Sequence, residues 1–201
     1  IDGSGSMNWC EDSADGKNQT GWIEDGHYHG NSEWYDWQYY NRAFCNLVEE
    51  GQKESRWDIA LNAIEEMQSN LGEEGISYQY VLYQDRIGGW VQDSMISGHW
   101  VNAKAFNTLE EVKNYKPTGG TKLSAGVEEA LNSFSNADTN KVMIIVADGD
   151  SDDGYPEETE KNWWGKEKLT DFGKFKENGG EVYTVGFTFS NEQFSALATD
   201  T

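Results

Sequence analysis

The sequence predicts an α/β fold, in which the strands of a mostly parallel sheet alternate with helices. Residues 141–147 (KVMIIVA) form the most apolar run of the chain, and residues 181–187 (EVYTVGF) form a second run that is expected to be a buried strand. Such runs are typical of parallel strands that are buried on both faces. Other segments place apolar residues at spacings of three and four, the period of an amphipathic helix. This alternation predicts right-handed crossover connections.

The first helix is predicted over residues 56–71 (RWDIALNAIEEMQSNL), where the acidic residues lie opposite the apolar face. β-Branched and aromatic residues over 76–84 predict a strand, and a turn follows at 85–89. Residues 90–100 are expected to form a further strand that pairs with the first.

The second half of the chain is expected to supply most of the helices. Asn107 or Thr108 can cap a short helix that Pro117 ends, and a Gly-bounded turn then leads into an amphipathic helix. The predicted helices lie at 107–115, 123–134 and 166–176, and Ser190 or Asn191 caps a last helical turn.

Composition and charge restrict the partners of this chain. Its 201 residues suffice for one domain with a sizeable core, so we expect a single domain over 1–201. A formal net charge of -21 argues against binding to nucleic acid and to anionic membrane surfaces. No apolar run is long enough to span a bilayer, so we expect no direct membrane insertion. Cations are the natural partners, although a solvated surface explains most of the charge.

Residues 8–46 show no regular period and are predicted to form a long ordered loop rich in Trp and Tyr. Both cysteines of the chain, Cys10 and Cys45, lie in this segment. A disulfide between them would place the protein outside the cytosol. Two free thiols in a reducing cell are the alternative, because two cysteines decide little.

The start of the chain carries groups that suit a hard divalent cation. Asp2, Ser4 and Ser6 alternate with Gly3 and Gly5. Residues two apart on an extended or tightly turned backbone point to the same side, and the glycines let the main chain approach. Oxygen ligands suit Mg²⁺, Mn²⁺ or Ca²⁺ better than zinc. An ordinary polar turn is the alternative for this motif taken alone.

Two further turns are expected at the same edge of the sheet. Thr121 follows Gly119 and Gly120 just before a predicted helix, and Asp148 follows the apolar strand. In an open α/β sheet, ligands bind at the carboxyl ends of the strands. We therefore expect Thr121 and Asp148 to converge with the motif at residues 2–6.

With these three motifs in this order, the chain resembles a von Willebrand factor A-type domain with a metal-ion-dependent adhesion site. The resemblance covers residues 1–198 apart from the insertion at 8–46, and it implies a Rossmann-like, doubly wound sheet flanked by helices. It also implies one bound ion, Mg²⁺ or else Mn²⁺ or Ca²⁺, to which a carboxylate of a partner protein can bind, as in integrin inserted domains. The implied metal ligands are Asp2, Ser4, Ser6, Thr121 and Asp148, with the two aspartates binding directly or through water.

The chain departs from the family pattern at both ends. Only Ile1 remains of the central strand that should precede Asp2, and the family's last strand and helix have no counterpart after Thr201. We therefore expect a cropped domain whose native protein supplies flanking sequence, because a sheet without its central strand buries too little surface.

Other candidate sites have weaker support. Asp150, Asp152 and Asp153 form an acidic cluster that could hold a second ion, but their spacing does not match an EF-hand, and a solvated loop is the alternative. No Ser-His-Asp or Cys-His arrangement has a supporting context. We therefore expect a binding domain and not an enzyme.

Aromatic residues are expected to border the metal site. The insertion leaves directly from the metal motif, and a second aromatic loop follows Asp148, so both should lie on one face. Trp and Tyr anchor interfaces, although some of these residues must pack the insertion against itself. The candidate ligand-binding rim comprises Trp9, Trp34, Tyr35, Trp37, Trp163 and Trp164.

The predicted function is divalent-cation-dependent adhesion to an extracellular protein or glycan. The insertion, the expected disulfide and the acidity are similar to features of the tip adhesins of Gram-positive bacterial pili, which implies an extracellular, cell-surface or pilus-associated location. The alternative is an intracellular assembly subunit, like the family members that couple to ATP-driven metal chelatases, and free thiols would favour it. A metallohydrolase is a third option, weakened by the lack of an evident base.

Overall fold

The computed structural model describes residues 1–8, 22–24, 27–29, 54–72, 74–85, 87, 95–96, 99–115, 117, 119–134, 140–148, 151–161, 163–187 and 192–199. Most of the predicted insertion lies outside these residues. Its described part contains a short antiparallel pair of strands, Trp22–Glu24 (β1) and His27–His29 (β2).

The remaining elements include both strands and helices, and among the described elements strict alternation is confined to residues 167–195, in the last part of the chain. The further strands are Tyr80–Tyr83 (β3), Met95–Ile96 (β4), His99–Trp100 (β5), Ala103–Phe106 (β6), Val142–Ala147 (β7), Thr159–Lys161 (β8), Glu167–Leu169 (β9) and Glu181–Gly186 (β10). The helices are Arg56–Leu71 (α1), Leu109–Lys113 (α2), Leu123–Ser133 (α3), Asp171–Glu177 (α4) and Glu192–Ser195 (α5), and a 3₁₀ turn spans Gly5–Asn8.

Residues 1–3 occupy the centre of the main sheet, between β3 and β7. The Tyr83 amide donates to the Ile1 carbonyl (3.0 Å), and the Gly3 amide donates to the Tyr83 carbonyl (2.8 Å). On the other side, the Asp2 amide donates to the Val146 carbonyl (2.9 Å). Residues 1–3 therefore join the two halves of the sheet.

The pairing of the outer strands makes the sheet mixed. β7 and β10 pair in parallel along six residues each, and Asp2 forms a parallel bridge to Tyr83. β3 and β6 pair antiparallel. The parallel pairings agree with the predicted mostly parallel sheet, and β6 is its antiparallel strand.

Helices cover both faces of the sheet. Consecutive strand residues enter different cores, as Leu82 and Tyr83 show, and side chains of neighbouring strand residues point to opposite faces. The core under α1 and α2 contains Met7, Trp57, Ala60, Leu61, Tyr80, Leu82, Ile87, Phe106, Leu109, Val112 and Val146. The core under α3, α4 and α5 contains Tyr83, Leu123, Val127, Met143, Ile145, Ala147, Phe172, Val182, Phe194 and Leu197.

Local signals set the helix limits. α1 has the predicted span, since Ser55 Oγ accepts a hydrogen bond from the Asp58 amide (3.1 Å) and Gly72 ends the helix with a φ of 73°. α2 is shorter than predicted because Thr108 and Glu111 form a capping box that fixes its start. α3, β7 and β10 each differ from their predicted ranges by one residue.

Two predictions of secondary structure are wrong. The helix predicted over 166–176 begins only at Asp171, because β9 pairs antiparallel with β8 and Thr170 Oγ1 caps α4 by accepting from the Gly173 amide (3.0 Å). Among the described residues, β3 pairs with β6 and with residues 1–3, whereas the described part of the 90–100 segment forms β4 and β5, which pair with each other. Strand-forming composition indicates that a strand exists without fixing its partner.

Candidate metal centre

The metal motif continues directly from the centre of the sheet. Asp2 is fully buried, and its Oδ1 accepts a hydrogen bond from the Ser4 amide (2.8 Å). Gly3 has no room for a side chain, since a Cβ there would lie 2.6 Å from Gln84 Oε1 and 2.7 Å from Leu82 Cδ1. Glycine at this position lets the turn pass close against the end of β3.

A chain of hydrogen bonds joins the motif to Asp148. Ser4 Oγ and Ser6 Oγ lie 3.0 Å apart, and Ser6 Oγ donates to Asp148 Oδ1 (2.8 Å). Asp148 comes directly after β7, whose residue Val146 binds the Asp2 amide. The structure therefore brings Asp2, Ser4, Ser6 and Asp148 into one cluster.

Main-chain contacts hold Thr121 beside this cluster. The Gly5 amide donates to the Gly119 carbonyl (2.9 Å), which ties the motif to the glycine-rich loop. Asp152 holds the same loop, because its amide donates to the Thr121 carbonyl (2.8 Å) and its Oδ2 accepts from the Thr121 amide (2.9 Å). Thr121 is buried in this loop, and its role as a metal ligand stays a prediction.

The two carboxylates of the cluster differ in their partners. Asp148 Oδ2 accepts a charge-assisted hydrogen bond from Arg56 Nη1 at 2.7 Å, and both side chains are buried. Asp2 Oδ2 is buried and has no hydrogen-bond partner among the described residues. Burial, and then the charge of Asp148, raise the pKa of Asp2 to about 7. A buried carboxylate oxygen without a partner fits a cation, because buried charges are normally paired or bound to metals.

The donor set consists of oxygen atoms only. It comprises two carboxylates and three hydroxyls, which is the chemistry that Mg²⁺ and Ca²⁺ prefer. Within the described ranges, no group of three or more His, Cys, Asp or Glu side chains is arranged to hold a metal ion. An ion in this cluster would therefore depend on Ser and Thr oxygens, and the metal-binding role of the five residues stays a prediction.

A comparison with models of protein families identifies the family of this chain. The model for the von Willebrand factor type A domain matches residues 50–200. The chain belongs to the von Willebrand factor type A family. No curated protein and no solved structure matches it. The matched range contains Arg56, Thr121 and Asp148, and the hydrogen bonds of Asp2 and Gly3 join the preceding motif to the same sheet.

Von Willebrand factor A domains have a Rossmann-like α/β fold, and they commonly act in metal-dependent adhesion or other protein interactions. They generally bind protein ligands. In the part of this A domain that the structure describes, no helix is both long and apolar enough to cross a bilayer.

The acidic residues after β7 bind backbone amides. Asp153 Oδ1 accepts from the Ser124 amide (3.1 Å), and Asp153 Oδ2 accepts from the Ala125 amide (3.2 Å), both in the first turn of α3. A carboxylate here satisfies amides that lack a partner within the helix, and it complements the helix dipole. Asp152 and Asp153 therefore fasten two loops of the A domain together, whereas Asp150 lies outside the described residues.

Trp163 and Trp164 are the only predicted rim residues within the described ranges. They lie between β8 and β9 and are 91% and 82% exposed. The hairpin is inserted between β7 and the start of α4, so it leaves from the carboxyl edge of the sheet. The other rim residues and the cysteines of the expected disulfide lie outside the described residues, namely Trp9, Trp34, Tyr35, Trp37, Cys10 and Cys45.

Arg56 and Gln84 lie at the site although no pattern in the sequence predicts it. Arg56 is the first residue of an amphipathic helix, a position that gives no sign of a buried partner. Gln84 directly follows β3, and its Oε1 is buried without a hydrogen-bond partner among the described residues. Only the packing of the A domain brings Arg56 to Asp148 and Gln84 to Gly3.

Proposed function

We propose that this A domain is an adhesion domain whose ligand binding depends on one divalent cation. The observation that carries the proposal is the buried Oδ2 of Asp2, which has no partner among the described residues. Mg²⁺ is the first candidate, and Mn²⁺ and Ca²⁺ are alternatives. The proposed ligands of the ion are Asp2, Ser4, Ser6, Thr121 and Asp148.

The contacts of these residues indicate a different role for each in binding the ion. The Ser4 amide orients Oδ1 of Asp2, which leaves Oδ2 for the ion. Ser6 and Arg56 bind the two oxygens of Asp148, so this carboxylate is suited to contact the ion through water. The serine and threonine hydroxyls add oxygen ligands without adding charge. When bound, the ion supplies a Lewis-acidic position for an anionic group of the adhesion ligand.

The proposed ligand is an extracellular protein or a glycan, met at a cell surface or on a pilus. Support comes from the exposed tryptophans of the β8–β9 hairpin, which leaves from the same edge of the sheet as the cluster. Tryptophan side chains frequently anchor interfaces. The net charge of -21 favours the recruitment of cations. We assign no residue a catalytic role, and the proposed activity is binding.

Mn²⁺ binding to the full chain tests this proposal by isothermal titration calorimetry. We expect one Mn²⁺ per chain, and an affinity at least about tenfold lower for Asp2→Asn, because the substitution removes a charge next to the ion. Glu66→Gln removes a carboxylate from an exposed position of α1 and is the matched control, for which we expect no change. Equal Mn²⁺ affinities of the two variants would refute the proposal.

A further inference from the structure

Arg56 is a buried cation inside the proposed cation site. It is the first residue of α1, and its side chain is 2% exposed. Its Nη1 lies 2.7 Å from Oδ2 of Asp148, whose own side chain is 0% exposed. Neither group is screened by solvent, so the interaction between them is stronger than that of a surface ion pair.

Asp148 and Asp2 are therefore unequal carboxylates. Both oxygens of Asp148 bind protein groups, Oδ1 through Ser6 Oγ and Oδ2 through Arg56. The Asp2 carboxylate accepts from the Ser4 amide through Oδ1, whereas its Oδ2 has no hydrogen-bond partner among the described residues. Two carboxylates and one guanidinium give the cluster a single net negative charge when the carboxylates are ionised. With a divalent cation bound, the cation and these three side chains together would carry a net charge of about +1.

We propose that Arg56 is a positioning residue of the cation site, which fixes the orientation of Asp148 and cancels one of the two carboxylate charges. The inference rests on the proposed function, since it requires that Asp2 and Asp148 serve a cation. Arg56 thus makes the chain bind divalent cations more weakly than two free carboxylates would. For the same reason, the bound cation attracts an anionic group of the ligand more strongly than it would beside two unpaired carboxylates.

The chemistry of arginine suits this role. A guanidinium keeps its proton at all physiological pH values, so the charge does not depend on conditions. Its planar shape directs N–H groups at a carboxylate and fixes the orientation of Asp148. Arg56 is also the first residue of the 16-residue helix α1, so the positive end of the helix dipole adds to the positive charge of the guanidinium.

A double-mutant cycle tests the charge role. Electron paramagnetic resonance measures the Mn²⁺ dissociation constants of four proteins at one pH and ionic strength. They are the wild-type chain, Arg56→Gln, Asp148→Asn and the variant with both substitutions. We expect Asp148→Asn to bind Mn²⁺ at least about tenfold more weakly than the wild type, since it removes a negative charge. The double variant should bind at least about tenfold more tightly than Asp148→Asn, because it also removes the positive charge.

The double variant also protects the test against unfolding. Arg56→Gln alone leaves Asp148 buried with an unopposed charge and can prevent folding, whereas the double variant removes both charges together. If Arg56→Gln folds, it should bind Mn²⁺ more tightly than the wild type. Lys174→Gln, which removes an exposed positive charge from α4, controls for the overall charge of the chain and should change the affinity less than about twofold.

The outcomes separate this inference from the proposed function. One result would overturn the role of Arg56 and leave the proposed function standing. In that result the wild type binds Mn²⁺ and needs Asp2 to do so, but the double variant binds Mn²⁺ no more tightly than Asp148→Asn. A purely structural role of Arg56 predicts that result. A wild-type chain that binds no Mn²⁺ would overturn both.

Discussion

Replacing Asp2 with Asn should stabilise the metal-free protein at neutral and alkaline pH while weakening its stabilisation by cations. The wild-type carboxylate is buried near the charge of Asp148, so its ionised form is disfavoured in the folded state. Asn has a similar size and no charge. Its side-chain oxygen can accept the hydrogen bond that the Ser4 amide gives to Asp2 Oδ1.

The pKa of Asp2 sets the size of this effect and its pH range. Burial raises the pKa from 3.8 to about 7, so the folded chain holds the proton more tightly than the unfolded chain. Stability is therefore greatest below the unfolded pKa, falls as the pH rises from about 4 to about 7, and levels off above that range. The difference between the two pKa values corresponds to about 4 kcal/mol of unfolding free energy. This is an upper limit for the variant, because the side-chain NH₂ group of Asn also loses hydration.

Urea unfolding followed by circular dichroism measures the effect in excess EDTA at about pH 4 and about pH 8. Asp2→Asn should gain stability over the wild type at the higher pH and much less at the lower pH. Excess Mn²⁺ should raise the stability of the wild type and of the Glu66→Gln control, and should raise that of Asp2→Asn less. A stability difference that does not vary with pH would refute the electrostatic reasoning.

Two further predictions concern the ligand and the location of the protein. The double variant Trp163→Ala/Trp164→Ala should keep its Mn²⁺ affinity but lose at least about tenfold in Mn²⁺-dependent capture on an array of matrix proteins and glycans, because exposed tryptophans anchor interfaces. Leu71→Ala, which truncates another exposed apolar side chain, is the control, and an equal loss in that variant would contradict the assignment. The intact non-reduced mass should be lower than the reduced mass by two hydrogens, as a disulfide between Cys10 and Cys45 requires. Two alkylatable thiols in the untreated protein would instead favour the intracellular assembly role.

Local patterns predicted much of the fold because burial determines them. The helical period of 56–71 and the apolar runs at β7 and β10 gave element limits within one residue of the structure. The approach of Asp2, Ser6 and Asp148 followed from the rule that loops at the carboxyl edge of an α/β sheet lie together.

Long-range contacts could not be predicted in this way. Residues 90–100 have strand composition, but the Gln84 amide binds Asn102 and the Ile87 amide binds Val101, so the chain returns to β3 only after that segment. Arg56 and Asp148 lie 92 positions apart, and the start of an amphipathic helix does not reveal which carboxylate its arginine will meet. The bonds of Asp153 to the first turn of α3 likewise depend on how two distant loops pack.

The bonds between Thr121 and Asp152, together with those of Asp153 to α3, tie two loops at the sheet edge together in the folded chain. The conformational entropy of ordering them is lost when the chain folds, and not when an ion or a ligand arrives. A cation that binds here as proposed would therefore meet an edge that is already ordered. Its association rate should then be governed by how fast the ion sheds water, which is slow for Mg²⁺ because it dehydrates reluctantly.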